Sequence, residues 1–371
     1  MLKRKIVIAS DSFKGTLSSL DICNLFRNEL KNREDINPIF LPIADGGEGS
    51  LEAISNILKG QYIDIEVTDL YFNKIQTRYY VDKNKNAYIE TASCDGLTLA
   101  NKDNNPGLVT TYGLGEQISD ALERGCKTIY IFLGGSASND GGVGLAAALG
   151  VKFFDKKNKE FIPTGLTLKN VTRIDTKNVK EADYVALTDV SSPFYGPEGA
   201  AFKFAPQKGA TPEEVVLLDE GLRHLSNVIN KDLSIDISHA PGAGAAGGLG
   251  GGLIAFLNAR VKSGINAILD LISFDEIIKD ADLVVSGEGK LDKQTFDGKV
   301  INGVASHCIK MNKPLDIVVG ISEVPLDKVK EIYPCVAHVY ETNENHLPFE
   351  EVKKTAREDY IKQIRKLLNN L

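Results

Sequence analysis

Ile6-Val-Ile-Ala-Ser-Asp-Ser-Phe-Lys-Gly15 sets four apolar residues of strand character against a polar turn that closes on glycine. A short apolar run bounded by turn residues predicts a strand buried on both faces. Ser18, with Asp21 three residues later, is a helix-start signature, and Ile22, Leu25, Phe26 and Leu30 then fall on one helical face. The same grammar repeats at once. Ile39-Phe-Leu-Pro-Ile-Ala44 predicts a strand, Asp45-Gly-Gly-Glu-Gly49 breaks it, and a helix carries Leu51, Ile54, Ile57 and Leu58 as far as Gly60. Two strand-loop-helix units in succession predict a parallel sheet.

Working outward, the pattern returns at the far end of the chain. Asp282–Val285 predicts a strand, residues 286–299 a polar loop, and Val300, Ile301, Val304 and Cys308 one face of a helix. A strand at Leu315–Val319, another near Val336 and an amphipathic helix over Phe349–Leu368 follow. The middle differs. Ile63, Ile65 and Val67, then Ile75, Thr77, Tyr79 and Val81, alternate with period two and predict a hairpin. Beyond it come a helix over Leu114–Leu122, a strand over Thr128–Leu133, a glycine-rich turn and a small-residue helix through Leu149. Tyr184–Leu187 predicts another strand, Thr211-Pro-Glu-Glu214 a capped helix start, and Leu233–Ile237 a further strand. The expected fold class is α/β with two domains. An open flavodoxin- or Rossmann-like parallel-sheet domain, residues 1–60 plus 281–371, is split by an inserted mixed α/β domain, residues 61–280, with the active-site cleft between them.

A chain of 371 residues with 43% apolar content can bury two cores. Its net charge of −7 supplies no field that attracts nucleic acid or an anionic membrane, so an anionic ligand has to be caught by local lysines and backbone amides. The first apolar run stops at Asp11, too early for a signal-peptide core, and no run approaches the roughly 20 apolar residues of a membrane span. Five scattered cysteines without Cys-x-x-Cys spacing argue against zinc and a disulfide framework and predict a reducing, cytoplasmic setting.

Chemistry concentrates where strands end. Asp11 with Lys14, Asp45 with Glu48, Asp189, and Glu288 with Lys290 and Asp292 all follow predicted strands, the edge at which open sheets bind ligands. Lys290, Lys293 and Lys299 can neutralise phosphate oxygens, and Glu288 and Asp292 can hold a divalent cation or accept a proton. Gly134, Gly135, Ser136, Ser138, Asn139 and Asp140 lie where a strand meets a helix N-terminus, which attracts anions. Gly242, Gly244 and Gly247 fit G-x-G-x-x-G formally, and that run reads three ways: a dinucleotide site, phosphate contact, or close packing of backbone. Neither G-x-x-x-x-G-K-[ST], G-x-S-x-G nor H-E-x-x-H occurs. Acids, lysines and backbone remain, which suits phosphoryl transfer better than a serine triad.

Taken together, Ile8–Lys14, Pro42–Gly49, Gly134–Gly142, Pro206-Gln-Lys-Gly-Ala-Thr211, Pro241–Gly248 and Gly287–Thr295 resemble the bacterial glycerate kinase family. The resemblance implies ATP- and Mg²⁺-dependent transfer of the γ-phosphoryl group to D-glycerate and a two-domain α/β fold. It implies catalytic roles for Asp189, Lys290 and Lys14, with Asp189 as base, and substrate contacts from Asp11, Ser12, Lys14, Asp45 and Lys290. Nucleotide contact falls to Gly134, Gly135, Ser136, Ser138, Asn139, Asp140, Gly242, Gly244 and Gly247, and Mg²⁺ to Asp45, Glu288 or Asp292. Two residues depart from the family pattern, Lys290 and Ser192, where Arg and Asn are commoner. Lysine offers a point charge where arginine offers a planar fork. The rival enzyme reading is an NAD-dependent oxidoreductase built on Gly242-x-Gly244-x-x-Gly247, and the non-enzymatic one is a small-acid-binding module. The partners expected are D-glycerate and ATP, with neither nucleic acid nor membrane, on a monomer or homodimer.

Overall fold

Arg4–Ser10 form the first strand, β1, and Ile6 to Ser10 within it are buried, as a run without polar alternation requires. The computed structural model describes residues 3–44, 46–47 and 49–371, with all side chains except those of Gln294 and Asp297. Asp45 and Glu48, both singled out above, lie outside the described residues.

The chain makes two compact units, one of Met1–Asp45, Glu52–Leu58 and Ser263–Leu371, the other of Gly46–Leu51 and Lys59–Lys262. The return to the first unit comes at Ser263 rather than at 281. Helices Gly264–Leu271 and Phe274–Ile278 belong to it, and Ile265 sits so near Gly303 that a Cβ there would lie 2.5 Å away.

In the first unit β1 joins β2 (Ile36–Pro42), β3 (Leu283–Leu291), β4 (Leu315–Ser322) and β5 (Val336–Glu341) in one all-parallel sheet of order β2-β1-β3-β4-β5. Sheets of this order bind ligands at the carboxyl ends of the first and third strands, where the winding reverses. Helix Ser19–Glu29, started by the Ser18/Asp21 capping box, and helix Phe349–Asn369 share one core cluster with the sheet. Tyr360 sets its ring edge-on to Phe13 at 5.1 Å and Phe26 at 6.2 Å. Each such buried side chain contributes roughly 1.5–3 kcal/mol.

β3 corrects one expectation. The polar loop predicted from 286 is strand as far as Leu291, pairing Gly287 with Val318, Glu288 with Val319 and Lys290 with Ile321 on β4, while its register with β1 stops at Val285. The glycines that suggested a loop let two backbones approach: a Cβ on Gly287 would stand 2.2 Å from the Val318 carbonyl.

The second unit holds a mixed six-stranded sheet. Gly60–Thr68, Lys74–Asp82 and Asn86–Glu90 are antiparallel, and Thr128–Phe132, Asp183–Leu187 and Arg260–Lys262 continue in parallel. A small antiparallel sheet of Lys152–Phe154, Glu160–Phe161 and Arg173–Asp175 was not expected, its strands being too short to show a period. The strand expected over Leu233–Ile237 is absent: helix Pro212–Leu233 runs to Leu233 and ends at Ser234 with φ 60°. No strand therefore feeds Gly242-x-Gly244-x-x-Gly247, and the dinucleotide reading loses its structural context. Among the described residues no helix is long and apolar enough to cross a membrane.

Candidate active site

At the end of β1, Asp11 donates its backbone N–H to the Gly287 carbonyl at 2.9 Å, tying this turn to β3. Its own carboxylate, 6% exposed, accepts the Ser12 N–H at 2.6 Å. Phe13 and Leu17 then bridge each other through backbone hydrogen bonds of 2.8 and 3.1 Å, which puts Lys14 and Gly15 at the tip of a tight turn. Gly15 has φ 79°, a left-handed conformation that favours glycine.

β3 supplies the facing set. Glu288 is 3% exposed and accepts the Thr295 hydroxyl from the short helical turn Lys293–Asp297. Lys290 reaches Glu323 at 2.8 Å and Asp292 at 3.9 Å, while Lys299 reaches Asp292 at 3.3 Å. The Glu323 carboxylate pushes the Lys290 ammonium above its usual range, so that cation persists through neutral pH. Asp11, Ser12, Lys14, Glu288, Lys290 and Lys299 line one cavity of ≈ 450 Å³, entirely within the first unit and at its winding reversal.

Of the metal candidates, Glu288 fits. Mg²⁺ keeps several waters and takes one or two carboxylates with substrate phosphates, and a buried carboxylate on a pocket wall suits that need. Asp292 is paired with Lys290 at 3.9 Å and Lys299 at 3.3 Å. Asp45 lies outside the described residues. Among those described, no three His, Cys, Asp or Glu side chains gather as a metal cluster.

The remaining candidates are in the second unit. Asp189 sits in a bend just past strand Asp183–Leu187, partly exposed. Of the glycine-rich turn after Thr128–Phe132, only Gly134 and Gly135 keep accessible surface, whereas Ser136, Ser138, Asn139 and Asp140 are buried. Asp140 accepts hydrogen bonds from Thr111, Gly142 and Gly144, a structural clamp on the helix that follows. Gly242, Gly244 and Gly247 are buried as well, packed closely against their surroundings. Backbone stands where a Cβ would be at two of them, with Pro193 O 2.2 Å from a Cβ on Gly244 and Ser138 O 2.2 Å from one on Gly247, while the Val261 side chain would lie 2.9 Å from one on Gly242.

The sequence reading missed Lys208. It is 4% exposed and donates to the Ser136 hydroxyl and the Ser138 carbonyl, both at 2.7 Å, while Ser138 donates to the buried Asp95 at 2.5 Å. Burial pushes the Asp95 carboxyl up and the Lys208 ammonium down. Also missed were Thr342, Asn343, Leu347 and Phe349, which complete the cavity of the first unit from beyond β5. A strand end followed by Thr-Asn was the available signal.

The chain matches the model of the glycerate kinase family over residues 6–371. It is 39% identical over 331 residues to a glycerate kinase of Bacillus cereus, covering 86% of each chain. It is 39% identical over 336 residues to the Glycerate 2-kinase of Escherichia coli K12, covering 89% of this chain and 87% of that one. A crystal structure from Salmonella typhimurium LT2, provisionally named glycerate kinase 2, superposes with a TM-score of 0.84 at 34% identity, covering 99% of this chain and 98% of that one. With sequence, fold and clustered acids and lysines in agreement, this chain belongs to the glycerate kinase family.

Proposed function

We propose that the chain is an ATP- and Mg²⁺-dependent glycerate kinase that moves the γ-phosphoryl of ATP onto the 2-hydroxyl of D-glycerate, releasing ADP and 2-phosphoglycerate. The observation that carries this reading is the cavity in which buried Asp11 and Glu288 share a wall with Lys14, Lys290 and Lys299, in a chain of this family. The 2-position is inferred from the relative named Glycerate 2-kinase.

In the transfer, the glycerate oxygen bonds to the γ-phosphorus as the bond from phosphorus to the bridging oxygen of ADP breaks, and the hydroxyl proton departs. Charge spreads over the phosphoryl oxygens, so positive charge fixed beforehand supplies most of the help. Lys14 and Lys290 hold the glycerate carboxylate and the transferred phosphoryl, and Asp11 with Ser12 orients the glycerate hydroxyls. The proton passes to a carboxylate base, and Asp189, just past the carboxyl end of its own strand, is the candidate for that base. A bound Mg²⁺ would supply positive charge to offset that of the phosphates. Glu288 would hold it directly or through water. The accessible backbone at Gly134 and Gly135 suits an anion, and the buried residues behind them keep that turn in shape. A reducing cytoplasmic setting suits the five free cysteines, four of them buried.

The test is incubation with ATP, Mg²⁺ and D-glycerate. ADP should form only when glycerate is present, and NMR of the product should couple phosphorus to the C2 proton. Coupling to the C3 protons would move the reaction to the other hydroxyl, and ADP release indifferent to glycerate would overturn the reading.

A further inference from the structure

Glycerate leaves part of the first unit's cavity unexplained. Beside the acids and lysines, the wall is apolar, formed by Leu17, Ile321, Leu347, Phe349, Val352 and Ala356. Glycerate has three carbons, each bearing oxygen, and so carries no apolar surface to bury there. A cavity of ≈ 450 Å³ matches a ligand several times larger. Leu347 and Phe349 remain 45% and 51% exposed inside this concavity, surface that a ligand rather than the core would cover.

The wall is also held firmly. The Asn343 side chain accepts the Leu347 N–H at 2.8 Å and donates to the Leu347 carbonyl at 3.0 Å, closing the loop that presents Leu347. Glu344 fastens the same loop to helix Phe349–Asn369 through Lys362 at 2.9 Å and through Lys366. The Phe349 ring lies against Gly15 so closely that a Cβ there would be 2.8 Å from it. The turn carrying Lys14 and the apolar wall thereby pack against each other.

We infer that this apolar wall binds the adenine ring and ribose of the nucleotide, with the base against Phe349 and Leu347. The inference rests on the kinase reading and names a site which that reading left unassigned. The nucleotide is the second substrate, and its base is the planar, weakly polar group that stacks on aromatic and aliphatic side chains. Lys14, Lys290 and Lys299 share the cavity, within reach of the phosphates that follow the ribose. The reversal between β1 and β3 is also where sheets of this strand order hold a mononucleotide.

The chain contains no tryptophan, so Phe349→Trp gives a single fluorescent reporter. Adenosine and ADP should change its emission saturably, whereas inorganic tripolyphosphate and D-glycerate should not. Phe349→Ala and Leu347→Ser should each raise the KM for ATP, the former on the order of tenfold, and leave the KM for D-glycerate near that of the parent. No response to adenosine or ADP, an equal response to tripolyphosphate, or a KM rise confined to glycerate would overturn the inference. The fluorescence titration needs no turnover, so loss of glycerate-dependent ADP formation in the parent strikes the kinase reading alone.

Discussion

Glu288 shows what a single residue contributes here. It is buried, accepts the Thr295 hydroxyl and lies on the wall of a lysine-lined cavity, which places a carboxyl group where a cation or substrate can meet it. Glu288→Gln keeps the shape and removes the charge. It is expected to lower kcat by about a hundredfold or more while the urea midpoint stays near that of the parent. Lys290 poses a narrower question. It meets Glu323 through one ammonium contact, so Lys290→Arg should retain most activity, and Lys290→Ala should lose about two orders of magnitude in kcat/KM by steady-state assay. Lys208 belongs to stability instead. Lys208→Met takes the donor from the Ser136 hydroxyl and the Ser138 carbonyl and removes the cation that offsets the buried Asp95 carboxyl, and should cost about 3 kcal/mol in urea unfolding. Asp95→Asn in the same chain should recover part of that loss, because it removes the buried group left without its cation. Asp11, Lys14 and Glu288 were legible because acids and lysines after strands have few other reasons to collect. Lys208 was not, since a lysine within Pro-Gln-Lys-Gly looks like a solvated turn and only packing reveals its burial.

At the scale of elements, the helix at Phe349–Asn369 is tied to the loop after β5 by Glu344, whose carboxyl Lys366 and then Lys362 hold down to about 2. Because the folded value lies below the unfolded one, this stabilisation is complete above the ordinary glutamate value of 4.5 and is lost as pH falls from there towards about 2. The pair is largely exposed, so the effect is small and salt weakens it. Hydrogen exchange of amides 343–347 should quicken over that acid window, and a Glu344→Gln variant should show no such step. The strands were readable where period or apolar density was strong, as in β1 and in Lys74–Asp82. The second half of β3 is hidden in the sequence because Ser-Gly-Glu-Gly-Lys carries loop composition, and only pairing with β4 makes it strand. The run at 242–252 was ambiguous for a related reason: glycine signals closeness without saying to what. Here the partners are backbone and Phe194, whose ring would lie 2.5 Å from a Cβ on Gly251. Gly247→Ala, at φ 66° and with Ser138 O 2.2 Å from the new methyl carbon, should therefore reduce soluble yield or thermal stability before it touches ATP affinity.

For the whole molecule, the strand order β2-β1-β3-β4-β5 explains why residues near 11 and near 288 share a cavity although most of the chain lies between them. The second unit leaves from the first between β2 and β3, so an excursion of some two hundred residues costs only the slowly growing entropy of a closed loop. Alternation at both ends of the sequence made that arrangement legible in outline. The exact crossing points were not, because short helices such as Gly264–Leu271 carry no mark of the unit they will join. The central claim is that the acids and lysines at the β1/β3 reversal perform glycerate-dependent phosphoryl transfer. The most direct measurement is ADP release by the parent and by folded Glu288→Gln, with and without D-glycerate. Release should require glycerate in the parent and collapse in the variant; equal rates in the two proteins, or release that ignores glycerate, would rule this chemistry out at the β1/β3 reversal.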